Sequence, residues 1–143
     1  MKKILISACL LGDKVNYKGQ GKYCPKVEEL KQKYLLVPFC PEVEGGLSIP
    51  RLPSEIRGNR VIHNNEKDVT KEFRLGAEKA LRLCKALNIK IAVLKENSPS
   101  CGSHHIHDGL FRDALINGEG FTTALLRRNG IEVYSEEEID KLL

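Results

Sequence analysis

Tryptophan is absent from this chain, methionine occurs once, and aromatic residues make up only 6% of the 143. Without interleaved aromatics there is no stacking platform for single-stranded nucleic acid, and the 23 lysines and arginines are scattered instead of forming a stripe. A nucleic-acid partner is therefore not expected. No apolar run approaches the roughly 20 residues of a membrane span. The run Ile4-Leu5-Ile6 behind Met1-Lys2-Lys3 breaks at Gly12-Asp13-Lys14, too early for a signal peptide. We expect a cytoplasmic protein with no membrane association. Repeats, low-complexity segments and linkers are also missing, so residues 1–143 read as a single domain. With 41% hydrophobic and 29% charged residues it can bury its own core. The net charge of +4 is compatible with an anionic or nucleobase-like ligand and decides little more.

Cysteine, by contrast, occurs five times, and no two cysteines form a Cys-x-x-Cys pair. In a reducing compartment an odd number of thiols points to metal binding or catalysis before disulfides. The lack of short paired spacings argues against a structural zinc module.

Three of the cysteines follow strand-like runs. Ile4 to Ala8 reads as a buried strand ending at Cys9, with Gly12 permitting a sharp turn. Val15 to Gly21 is a polar, glycine-rich loop able to cover a site. Cys24-Pro25 opens a predicted helix through Val27, Leu30 and Tyr34. Leu35 to Phe39 is a second strand, in which Pro38 implies a sheet edge or an irregular strand end, and it ends at Cys40. After a turn-rich stretch, Arg60 to His63 reads as an accessory strand. Val69, Phe73, Ala77, Ala80, Cys84 and Leu87 recur at helical spacing, which predicts an amphipathic helix over 68–87 with Asp68 as N-cap and Asn88 as its stop. Ile89 to Leu94 is a buried strand leading to Ser98-Pro99-Ser100-Cys101-Gly102. Ser103 to Gly120 is polar and glycine-punctuated. A helix over Phe121–Asn129, a strand over Ile131–Tyr134 and a last helix capped at Ser135 complete the chain.

This alternation predicts an α/β fold, a mainly parallel, Rossmann-like sheet flanked by helices. Open parallel sheets bind ligands beyond the carboxyl ends of their strands. Cys9, Cys40 and Cys101 all lie just past such ends, so they are expected to converge. Three thiolates there suit a metal or cluster, and a cubane held by three cysteines leaves one iron open. Three small apolar residues at strand ends fit the spacing equally well.

The blocks Ser7-Ala8-Cys9-Leu10-Leu11-Gly12, Cys40-Pro41-Glu42-Val43-Glu44-Gly45-Gly46-Leu47-Ser48-Ile49-Pro50-Arg51 and Ser98-Pro99-Ser100-Cys101-Gly102 resemble those of the thiouracil desulfurase family. Asp68-Val69-Thr70 and Gly118 to Thr122 extend the resemblance over nearly the whole chain. It implies a [4Fe-4S] cluster held by Cys9, Cys40 and Cys101, with one iron not ligated by protein cysteine. The implied reaction is non-redox desulfuration of a small thiolated base such as 2-thiouracil, giving uracil and sulfide. Glu42 would shuttle protons or activate water, and Ser98 would assist at the substrate. The chain departs from the family pattern around Tyr17, where Asn16 and Lys18 stand in place of an Arg and an Asp.

Several further residues have ordinary readings. Ser98 and Ser100 also suit capping of a proline turn, Gly45-Gly46 suits either close ligand approach or a bare turn, and Arg51 reads as a surface residue before it reads as an anion ligand. His104 to His107 lack matching carboxylate spacing and read as a polar loop. Cys84 belongs to the core, and Cys24 is an ordinary helix-start residue before it is a reactive thiol. Two rival functions stay open: a non-catalytic iron-sulfur or zinc-binding protein, and a cofactorless enzyme with Cys101 as nucleophile.

Overall fold

The computed structural model describes residues 1–143. In chain order the elements are β1 (Lys2–Ser7), α1 (Val27–Leu30), β2 (Tyr34–Phe39), α2 (Pro41–Glu44), β3 (Ser54–Arg57), β4 (Arg60–His63), α3 (Thr70–Leu87), β5 (Ile91–Leu94), β6 (His105–His107), β7 (Leu115–Asn117), α4 (Phe121–Arg128) and β8 (Glu132–Ser135). Single 3-10 segments, Ala8–Leu11 and Glu136–Leu142, follow β1 and β8. The sheet runs β2-β1-β5-β8, and every pairing in it is parallel.

Side chains alternate across a strand, and the two faces of this sheet are covered by different helices. Leu5, Ala92, Leu94 and Val133 point to one face, where they meet Ala80 and Cys84 of α3 and Leu126 of α4. Ile4, Ile6 and Val93 point to the other, against Val27 and Leu30 of α1 and Ile139 and Leu142 of the C-terminal 3-10 segment. The expected α/β fold is therefore a three-layer sandwich. From β1 the chain moves outward to β2 and then crosses back to β5 on the far side, which puts the switch in strand order at β1.

Some sequence expectations change. The helix after Cys24 stops at Leu30, because Tyr34 pairs with Lys2 as the first residue of β2. The three-and-four spacing of Val27, Leu30 and Tyr34 thus spans a helix and a strand. Two antiparallel hairpins were not anticipated: β4 has a partner in β3, and β6 pairs with β7 inside the stretch read as irregular. The long helix begins at Thr70, where the Asp68 carboxylate accepts the Thr70 N–H at 2.9 Å. Asn88 ends it in the left-handed conformation, φ 56°. Ser135 heads a capping box with Glu138.

Candidate active site

Cys9 lies in the 3-10 segment after β1, Cys40 immediately follows β2, and Cys101 lies in the turn after β5. Since β1 is central between the other two strands, their carboxyl ends bring all three thiols to one cavity of about 300 Å³. Convergence was expected, and the structure shows it. Glu42, Ser98, Ser100 and Arg51 line the same cavity, as do Asn16 and Tyr17 from the loop after β1. That loop is tied down by Arg51, whose N–H donates to Tyr17 O at 2.8 Å and whose Nη2 donates to Val15 O at 3.0 Å.

The thiols sense each other electrostatically. Burial, with the neighbouring Cys40, pushes the Cys9 thiol up to about 11, and the Lys95 ammonium partly opposes this. Burial raises Cys40 too. Cys101, 4% exposed, is pushed up to about 12 by burial, although the Ser7 hydroxyl donates to its sulfur at 3.6 Å and Ser100 Oγ lies 3.5 Å from it. A hydroxyl donor aimed at the sulfur favours the thiolate, the form in which cysteine binds metal.

No three of the His, Cys, Asp and Glu side chains are gathered closely enough to hold a single metal ion. Three soft sulfur donors around one cavity match iron-sulfur chemistry.

Beside Cys101 runs a hydrogen-bonded chain. Arg51 Nε donates to Glu42 Oε1 at 3.0 Å, and the pair is well buried, with side-chain exposures of 5% and 14%. Ser100 Oγ donates to Glu42 Oε2 at 2.8 Å. Because that hydrogen is committed to the carboxylate, the 3.0 Å contact between the two serines has Ser98 Oγ donating to Ser100 Oγ. Ser98 Oγ in turn accepts the N–H groups of Ser100 at 3.1 Å and Cys101 at 2.7 Å. Ser98 therefore both caps the turn and faces the cavity, and Ser100, which has an ordinary turn reading, joins it to Glu42. Arg51 is no surface residue.

Other readings are corrected here as well. Gly45 serves neither a ligand nor a bare turn, since a Cβ on it would sit 2.0 Å from Glu72 O in α3. His104 to His107 are not a loop. His104 leads into β6 and meets Glu96 Oε2 at 3.0 Å, and His107 lines the cavity. Glu55 of β3 also lines it. Nothing in hydropathy or spacing marked Arg51, Glu55 or His107, whose partners are remote in sequence. Cys84 is core, raised to about 11 by burial, and Cys24 is half-buried beside α1.

Fold and site together define an α/β protein with a three-thiol cradle at the switch point of a parallel sheet, flanked by a carboxylate–serine chain. Residues 4–138 match the profile of the 2-thiouracil desulfurase family, and the chain belongs to that family. It is similar to a solved structure of the [4Fe-4S]-dependent thiouracil desulfidase TudS, with 49% identity and a TM-score of 0.94 over 99% of this chain and 95% of that one. It is also 39% identical, over 150 residues, to the uncharacterized protein YbbK of Bacillus subtilis (strain 168), covering 98% of this chain and 99% of that protein. No helix is long and apolar enough to cross a membrane.

Proposed function

We propose that this chain removes sulfur from a small thiolated nucleobase such as 2-thiouracil, with Cys9, Cys40 and Cys101 holding a [4Fe-4S] cluster that has one iron without a cysteine ligand. The observation that carries this reading is the arrival of three thiols from three strand ends in one cavity beside the Glu42–Ser100–Ser98 chain. The single domain 1–143 would then be an iron-sulfur domain throughout. Five free thiols suit a reducing compartment, so we place it in the cytoplasm.

When bound, the cluster supplies a soft Lewis-acid iron for the thiocarbonyl sulfur. The reaction replaces C=S by C=O: water contributes the oxygen, sulfur leaves as hydrosulfide, one proton is released, and no electrons are exchanged. Glu42 takes a proton from the attacking water, since a water on its own is a poor nucleophile at neutral pH. Arg51 holds Oε1 of that carboxylate, which fixes its orientation. Ser98, which lines the cavity, turns its hydroxyl from Ser100 to the reacting carbon's developing oxygen, and Ser100 links Ser98 to Glu42.

A non-catalytic cluster-binding protein would need the cysteines but not a clamped carboxylate and two linked hydroxyls next to them. Anoxic reconstitution with iron and sulfide, followed by iron and acid-labile sulfide assay, tests the cradle; absence of bound iron overturns the reading. Mixing the loaded protein with 2-thiouracil is expected to release uracil and hydrosulfide. A loaded protein that releases neither favours the binding protein.

A further inference from the structure

The cavity holds two acceptors that this chemistry does not use. Glu55 is 7% exposed, and its Oε1 accepts the N–H groups of Gly109 at 2.9 Å and Phe111 at 3.1 Å. Its Oε2 has no protein partner. Thr122 Oγ1 is the one fully buried side-chain oxygen or nitrogen left without a partner, so Glu55 Oε2 keeps contact with solvent. Glu55 is also one of the residues that line the cavity. Arg57 attracts the carboxylate from a distance, but its guanidinium hydrogen-bonds Gly109 O and Glu66 and not Glu55.

His107 stands close by, since β3 and β6 pack together. Its Nδ1 lies 3.2 Å from the Asn97 carbonyl oxygen. A carbonyl can only accept, so Nδ1 carries the ring proton and Nε2 of the neutral ring is an acceptor. Asp113 Oδ1 is 3.7 Å from Nε2, beyond hydrogen bonding, and its side chain is fully exposed. Two residues that line the cavity thus carry acceptors without protein donors. A thiolated pyrimidine offers ring N–H donors beside its thiocarbonyl.

We propose that Glu55 Oε2 and His107 Nε2 accept the ring N–H hydrogens of the thiolated base, making this end of the cavity a filter that rejects N-alkylated rings. This rests on the desulfuration reading for its ligand class and extends it to specificity. A site built around buried acceptors discriminates strongly, because a ligand lacking the donor leaves them unpaired.

Two near-isosteric substitutions separate reading from scaffolding. Glu55→Gln keeps an oxygen for the Gly109 and Phe111 amides but places an amide NH2, a donor, at the Oε2 position. His107→Asn keeps a donor for Asn97 O and removes the group at Nε2. With 2-thiouracil as probe, titration calorimetry on the cluster-free protein is expected to give a Kd raised about tenfold or more in each variant. In the cluster-loaded protein KM is expected to rise more than kcat falls, with iron content and thermal midpoint held near wild type. The 1-methyl and 3-methyl derivatives of 2-thiouracil are expected to bind wild type weakly and to lose nothing further in the variant whose acceptor they no longer meet. Wild-type affinity in both variants overturns the proposal, as does a wild-type protein that fails to bind the base or binds its methylated forms equally well. Donor-selective binding without turnover in the loaded wild type would count against desulfuration and leave this assignment standing.

Discussion

Within the site, Glu42 and Arg51 form one unit in which each residue makes the other's burial tolerable. Removing one partner of a buried ion pair costs about 3–5 kcal/mol, because the remaining charge loses its compensation. Arg51→Leu is therefore expected to lower the stability of the cluster-free protein by a few kcal/mol in urea unfolding. Arg51→Lys should lose less while failing to reach Glu42 and Val15 O together. Equal stability in wild type and Arg51→Leu would sink the pairing. The serines call for a different comparison. Ser98→Ala strips the acceptor from two backbone N–H groups, one of them belonging to Cys101, and is expected to loosen cluster retention as well as slow turnover. Ser100→Ala leaves those bonds in place and should retain iron while losing turnover about tenfold or more; a Ser100→Ala enzyme with wild-type kcat would remove it from the chain. Glu42 was readable in the sequence because it sits two residues from a ligand-like cysteine. Arg51 and Ser100 were not, since their meanings depend on contacts across 9 and 58 residues.

Elements hold these groups in place through one unusually close contact. A Cβ on Gly76 of α3 would stand 1.9 Å from Pro41 O, just as one on Gly45 would stand 2.0 Å from Glu72 O. Backbone thus meets backbone where α2 crosses α3, and α2 carries Cys40 at its entrance and Glu42 in its first turn. Alanine normally improves a helix interior over glycine by about 1 kcal/mol. Here Gly76→Ala is expected to destabilise by about 1–3 kcal/mol through overpacking, and to weaken cluster retention because α2 must move. A thermal midpoint at or above wild type would refute this contact. α3 itself was legible, since its apolar face repeats at 3.6-residue period over 18 residues. The hairpins were not. β3 is Ser-Glu-Ile-Arg, and all three residues of β7 are exposed, so neither shows the period-two burial by which a strand is read from sequence.

For the molecule as a whole, alternating apolar runs and helical faces made the parallel α/β sheet readable, and the exits of β1, β2 and β5 made the three-thiol cradle readable with it. The stretch that binds the cradle to the rest is organised instead by one buried carboxylate. Glu96, at the exit of β5, is 5% exposed. Its Oε1 accepts the N–H groups of Ser103, His104 and His105 at 2.9, 3.0 and 3.0 Å, and its Oε2 accepts Ser103 Oγ at 2.9 Å. These bonds close the loop that contains Cys101. Burial alone would raise this carboxyl, but the His104 and His105 amides, the His104 ring and the Ser103 hydroxyl outweigh it and bring it down to about 2, from 4.5. A carboxyl lowered in the folded state contributes stability that is complete above its unfolded value and lost as pH falls through the folded one. The window is therefore about pH 4.5 down to 2, and the contribution is on the order of 3 kcal/mol, a sizeable share of a domain's usual 5–15 kcal/mol. Unfolding free energies of the cluster-free protein, measured in urea at pH 7, 4.5 and 3, are expected to hold nearly level to about pH 4.5 and then to fall. Glu96→Gln should be less stable at pH 7 and decline less steeply below pH 4.5. If the two proteins lose stability in parallel as the pH drops, the acid sensitivity resides in other carboxylates, and Glu96 is not what closes the Cys101 loop.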